Sequence, residues 1–174
     1  VARVGRLFRD STMTTANGRL VYYGSAAAMG SLWLYYATSD QQNLYDQTAI
    51  NRIYGVVDPD FPSPRVSVDT ASTTVPPALM ELGGGDGCPP LPARGWRADL
   101  GLGKMVTDRP NVKNQRVYFP LFTPHSSDLC QNGSASLVAV DMYCGSTLST
   151  REIGEGILKG GVHHRGQTYY SLGG

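Results

Sequence analysis

The chain has 174 residues, a net charge of +1, 17% charged and 41% hydrophobic residues. A charge this close to zero leaves no electrostatic footprint for a nucleic-acid backbone or an anionic membrane, and the composition is too apolar and too neutral for disorder. With 21 glycines and 11 prolines, and no apolar run near the ~18 residues of a membrane span, the sequence excludes a helical bundle and points to a turn-rich, all-β chain.

The opening VARVGRLFRD has no basic region leading into an apolar core, so no signal peptide is expected there. Asn17-Gly18 is a strong hairpin turn signal, which makes Arg19–Gly24 an expected strand arm. SLWLYYATS (31–39) and INRIYGVVD (50–58) read as strands from their aromatic and β-branched content. Residues 58–92 then form a loop-rich excursion. Its first part, 58–77, is rich in Pro, Ser and Thr; ALMEL is one helical turn or a short strand; 82–92 carries GGGDGCPP. Further strands are expected at 96–100, 115–122, 135–143 and 167–172. Short strands separated by Gly, Pro, Asn and Asp suggest a single β-rich domain over 1–174, a propeller, barrel or sandwich of antiparallel sheets. RLVYYGSA (19–26), LWLYYATS (32–39) and RVYFPLFT (116–123) are mutually similar. They read either as repeated sheet units or as the common look of Tyr-rich strands.

Little chemistry stands out. No phosphate loop, nucleophile elbow, zincin or dinucleotide fingerprint occurs. His125, Ser126 and Asp128 compose a hydrolytic triad only on paper, with no second supporting motif. Asp40, Asn43 and Asp46 are the closest calcium candidates, but their spacing of three fits a polar turn better than a calcium loop. Tyr22, Tyr23, Tyr35, Tyr36, Tyr169 and Tyr170 offer aromatic binding surface; strand alternation gives each pair one core and one outward ring. Of the three cysteines, Cys130 and Cys144 flank a turn and an apolar strand. A disulfide between them closes a short loop, is worth about 3 kcal/mol in the loop-entropy view and implies an oxidising compartment. Three buried free thiols are the alternative. Cys88, in GGGDGCPP, is left over.

Two blocks carry a family resemblance. One is RGWRADL (94–100) followed by GKMVTDRPNVKNQRVYFPLFTPHSSDLCQNGSASLVAVDMYCG (103–145), which resembles the C-terminal region of PilY-type type IV pilus proteins; the other, LWLYYATSDQQNLYDQTAINRIYGVVD (32–58), lies upstream. The matching positions include Gly95, Trp96, Leu100, Val106, Asp108, Pro110, Phe122, Thr123, Asp128, Cys130, Gly133, Leu137, Asp141 and Gly145. Upstream, Asp46, Thr48, Tyr54 and Asp58 match the family's preceding block, whereas Ala37 and Ser39 replace its Gly-Thr-Gly glycines and Leu129 replaces a proline.

The resemblance implies a modified β-propeller whose last blades this chain supplies, or an open β-rich domain built from them. It implies an extracellular, non-enzymatic protein acting in pilus assembly and tip adhesion, or as a subunit of a surface filament. Pilins, minor pilins or other filament subunits are the implied partners. At ~40–45 residues per blade the length allows about four blades at most, so further copies or the rest of a longer chain would complete the core. Gly95, Trp96, Asp108, Pro110, Asp128 and Asp141 are the implied structural positions, with Trp96 between blades and Asp141 capping a turn. No cofactor is implied, and the family's calcium stretch has no counterpart here. A quinoprotein-like propeller enzyme and a carbohydrate-binding β-domain are the competing readings.

Overall fold

The computed structural model describes residues 21–28, 32–58, 61, 80–81, 95–125 and 132–173, and within them the chain is all β. The first sheet contains β1 (Ala26–Ala28), β2 (Leu32–Ala37), β3 (Arg52–Asp58), β4 (Met80–Glu81) and β5 (Gly95–Asp99), in the order β1-β2-β3-β5-β4. All its neighbours are antiparallel except β4 and β5. The second contains β6 (Met105–Val106), β7 (Asn111–Lys113), β8 (Arg116–Thr123), β9 (Ser134–Asp141) and β10 (Thr147–Glu155). Its order is β10-β9-β8, with β6 and β7 sharing the far side of β8. A hairpin of β11 (Ile157–His164) and β12 (Gln167–Gly173) follows. Among the described residues no sheet closes into a ring.

The two large sheets stack because their strands alternate. In β2, Trp33, Tyr35 and Ala37 point one way and are buried. In β8, Val117, Phe119 and Leu121 do the same. These residues join Ile53, Trp96, Val138, Val140 and Met142 in one apolar cluster between the sheets. Burial of a single side chain of this kind contributes roughly 1.5–3 kcal/mol, so this interface is the principal stabilising element of the described fold. LWLYYATS and RVYFPLFT thus take the same place, the second row of a meander, β1-β2-β3-β5 in one sheet and β6/β7-β8-β9-β10 in the other. The third similar segment does not share it. Of the expected arm Arg19–Gly24, residues 19–20 lie outside the described residues, 21–24 are irregular, and β1 begins at Ala26. Of ALMEL, Met80 and Glu81 are described, and they form a strand.

One edge is broken for a reason visible in the sequence. Pro120 lies inside β8, opposite Leu137 of β9. Its carbonyl accepts the Thr107 N–H at 3.0 Å, on the β6/β7 side. Amide and carbonyl of one strand residue face the same neighbour, so the N–H that proline lacks is missing from that same side. The edge strand therefore pairs at Val106 with Leu121, leaves the ladder over Thr107–Pro110, and resumes at Asn111 with Tyr118.

Candidate functional site

Two places gather the residues singled out by the sequence: the seam between the sheets and the broken edge. At the seam, β2, β3 and β5 align Tyr35, Gly55 and Trp96 in one cross-strand row. Gly55 is required there. A Cβ on it would lie 2.4 Å from the Trp96 ring, so the missing side chain makes room for the indole. Gly95 is required too, with φ of +132° and a would-be Cβ 2.1 Å from the Gly55 carbonyl oxygen.

Trp96 is fully buried, and its Nε1–H donates to the Met142 carbonyl at 3.0 Å. The Tyr35 hydroxyl donates to the same carbonyl at 3.1 Å. Both lone pairs of one oxygen in the β9–β10 turn are thus held by rings from the opposite sheet. Burial first, then the Tyr143 and Asp141 charges, raises the Tyr35 hydroxyl well above the ordinary phenol value, so it remains a donor.

That turn is built by Asp141. Its carboxylate accepts the Tyr143 N–H at 2.8 Å and the Cys144 N–H at 3.1 Å, while the Asp141 N–H donates to the Ser146 carbonyl at 2.9 Å. Cys144 is buried and disulfide-bonded, with the Ser146 hydroxyl 3.4 Å from its sulfur. Cys88, Cys130 and Asp128 lie outside the described residues.

At the broken edge, Asp108 and Pro110 occupy the segment that leaves the ladder. The Asp108 carboxylate accepts its neighbour Arg109 N–H at 2.7 Å and the Gly160 N–H of β11 at 2.5 Å. Gly160 sits in a β-bulge, between the paired residues Lys159 and Val162. Three further side chains reach β11 or its turn. The Thr107 hydroxyl donates to the Leu158 carbonyl at 2.6 Å, Asn111 Nδ2 donates to the Gly161 carbonyl at 3.2 Å, and Lys113 Nζ donates to the Gly166 carbonyl. The hairpin is thus docked by side chains rather than by a backbone ladder. Tyr170 of β12 is held over Gly161, and burial, followed by nearby Tyr118 and Asp108, pushes its hydroxyl up to about 12. Burial and the same Asp108 raise Tyr23, whose hydroxyl donates to Gln41 Oε1 at 2.8 Å.

Beside this edge lies an open cleft of about 420 Å³, walled by Ser25–Ala27, Arg109–Val112 and Gly161–Val162. Arg109 is its one charged lining residue, and among the described residues no carboxylate pairs with it.

The remaining candidates are local. Asp40 accepts the Gln42 N–H at 2.9 Å, and Asp46 accepts both the Thr48 N–H at 2.8 Å and its hydroxyl at 2.6 Å. Those Thr48 bonds, the hydroxyl's first, hold Asp46 below the usual carboxylate value. Asp40, Asn43 and Asp46 therefore build successive polar turns. Among the described residues no group of three or more His, Cys, Asp or Glu side chains is positioned to share a metal. His125 is exposed, whereas Ser126 and Asp128 lie outside the described residues. Of the tyrosine pairs, Tyr35 is buried and Tyr36 stacks on Tyr54 across the other face, at 4.9 Å. Sequence reasoning missed Gly55, Thr107 and Arg109. Only Gly55 had a readable signal, a glycine inside a β-branched run. Comparisons with protein-family models, curated proteins and solved structures gave no match to this chain.

Proposed function

We propose that this chain is a PilY-like, non-enzymatic surface protein that acts in type IV pilus assembly and tip adhesion, or as a subunit of an extracellular filament. The two stacked sheets are then consecutive blades of a modified β-propeller, completed by further chain or by neighbouring subunits. One observation carries this reading. Gly95-Trp96 and Asp141, positions of the family resemblance that stand far apart in the sequence, meet at one seam through the Trp96–Met142 bond. Their meeting at a single contact supports reading these positions as one structural unit. Two successive meanders packed face to face are also the arrangement that radial blade stacking requires. The disulfide at Cys144 agrees with an exported protein, and in this reading its partner is Cys130.

Deletion of the gene in its host, with complementation, tests the proposal. Surface filaments counted by electron microscopy, and adherence of the cells, should both fall and return with the wild-type gene. Unchanged filaments and adherence in the deletion strain would overturn it.

A further inference from the structure

β10 and β11 belong to different sheets, yet a single residue, Gly156, lies between them. β10 stays paired with β9 to its last residue, Glu155 opposite Ser134, and the Gly156 N–H then donates to the Gly133 carbonyl at 2.8 Å. β11 is already paired with β12 at its first residue, Ile157 opposite Gly173. The whole change of direction thus falls on one position. It is made with φ of +115° at Gly156, where a Cβ would lie 2.6 Å from the Gly173 carbonyl oxygen. Gly154, two residues earlier, has φ of +154° and a would-be Cβ 3.3 Å from Leu172. Two glycines in conformations that other residues rarely adopt fold the hairpin back onto its own sheet. With Gly156 in ordinary extended backbone, β10 runs straight on into β11 and carries the hairpin away from that sheet.

We propose that Gly156 is an exchange hinge, through which the β11–β12 hairpin of one copy docks on a second copy, and the second copy's hairpin on the first, in a reciprocal dimer. The docking site selects that occupant. Thr107, Asp108, Asn111 and Lys113 bind main-chain groups of Leu158, Gly160, Gly161 and Gly166. The bulge between Lys159 and Val162 sets the spacing of those groups, so the segment that matches them is another copy of the same hairpin. Leu158, beside them, is fully buried. Exchange re-forms each of these contacts between copies, so the balance between the two forms rests on the hinge and on concentration. Short, crowded hinges tilt that balance toward exchange. The docked hairpin also keeps the Tyr170 hydroxyl buried without a hydrogen-bond partner, which lowers the cost of undocking. Ile153 and Leu172, both large, apolar and exposed, stand beside the bend, where the copies of an exchanged dimer cross. The inference needs only the hinge and the docking contacts, so it stands or falls separately from the pilus reading.

The test uses the full chain in heavy- and light-isotope forms, with any free thiol alkylated. The two forms are mixed at high protein concentration in sub-denaturing urea, returned to buffer and separated by size. A dimer should appear whose share rises with concentration. A lysine-reactive cross-linker should then join Lys113 to Lys159 in mixed-isotope pairs within the dimer, and in single-isotope pairs within the monomer. Gly156→Ala penalises only the bent connection and should raise the dimerisation constant by at least about tenfold. Two glycines inserted after Gly156 relax the bend and should lower it by about the same factor. A chain that stays monomeric at every concentration, both as the parent and as Gly156→Ala, overturns the proposal. A dimer whose Lys113–Lys159 links remain single-isotope also overturns it, because whole chains would then associate without exchanging the hairpin. Should Gly156→Ala fail to fold, the insertion variant decides: an unchanged dimer share overturns the proposal, and a reduced share supports it.

Discussion

Trp96 and Gly55 form a matched pair, and each constrains the other. Gly55→Ala places a methyl 2.4 Å from the indole and should destabilise the fold by about 1–3 kcal/mol through overpacking. Trp96→Phe opens space at the same point and removes the bond to the Met142 carbonyl. A loss of about 2–3 kcal/mol is expected, read as a lower midpoint in urea with an unchanged slope. Tyr170 behaves in the opposite sense. Its hydroxyl is buried with no hydrogen-bond partner among the described residues, so Tyr170→Phe should raise stability by up to about 1 kcal/mol near neutral pH. Its value of about 12 in the fold stands above the ~10 of a free phenol. The unfolded chain therefore ionises first as pH climbs. Stability linked to Tyr170 is fully present below about pH 10 and is lost as pH rises toward about 12. Tyr170→Phe should flatten that part of the alkaline decline in urea unfolding. A variant that declines in parallel with the parent would contradict the assignment.

Strands with apolar alternation were legible in the sequence, and strands without it were not. β2, β3, β5, β8, β9 and β12 lie within a few residues of their expected places, because alternation or a β-branched run marks a half-buried strand. β10 reads TLSTREIGE and is exposed along nearly its whole length. A strand with neither face in the core has no hydrophobic period to show, so it was missed; β11 was missed because it buries Leu158 and then runs into paired glycines that break any alternation. β6 and β7 are two- and three-residue pieces of one edge, and their division follows from Pro120 on the neighbouring strand, a cause that lies elsewhere in the chain. The turn at Asp141 was legible because an aspartate before small residues carries its own mechanism. The role of Asp108 was not, since the Gly160 amide it accepts is 52 residues away in sequence. That docking makes a prediction at this scale. Thr107→Val removes the donor to the Leu158 carbonyl and should loosen the β11–β12 hairpin while sparing the stacked sheets. Hydrogen exchange should accelerate across 157–173 and remain slow in β8 and β9. Uniform acceleration would show that the hairpin and the sheets open as one unit.

Across the whole chain, composition was enough to read the class, and it was silent on how the sheets meet. Neutral, Gly- and Pro-rich chains form β-sheets of several architectures, and the choice among them rests on long-range contacts that no local pattern encodes. The covalent bond at Cys144 bears on the same question. Non-reducing peptide mapping should recover Cys130 linked to Cys144, and a Cys88–Cys144 peptide would instead tie the 58–92 excursion to the seam. The seam has one further property. The sequence holds two tryptophans, Trp33 and Trp96, and both belong to the cluster between the sheets, at 6% and 0% exposure. All of the protein's indole fluorescence therefore originates at that interface. Emission excited at the red edge of the absorption band becomes a built-in optical gauge of whether the two sheets are in contact, with no label to attach.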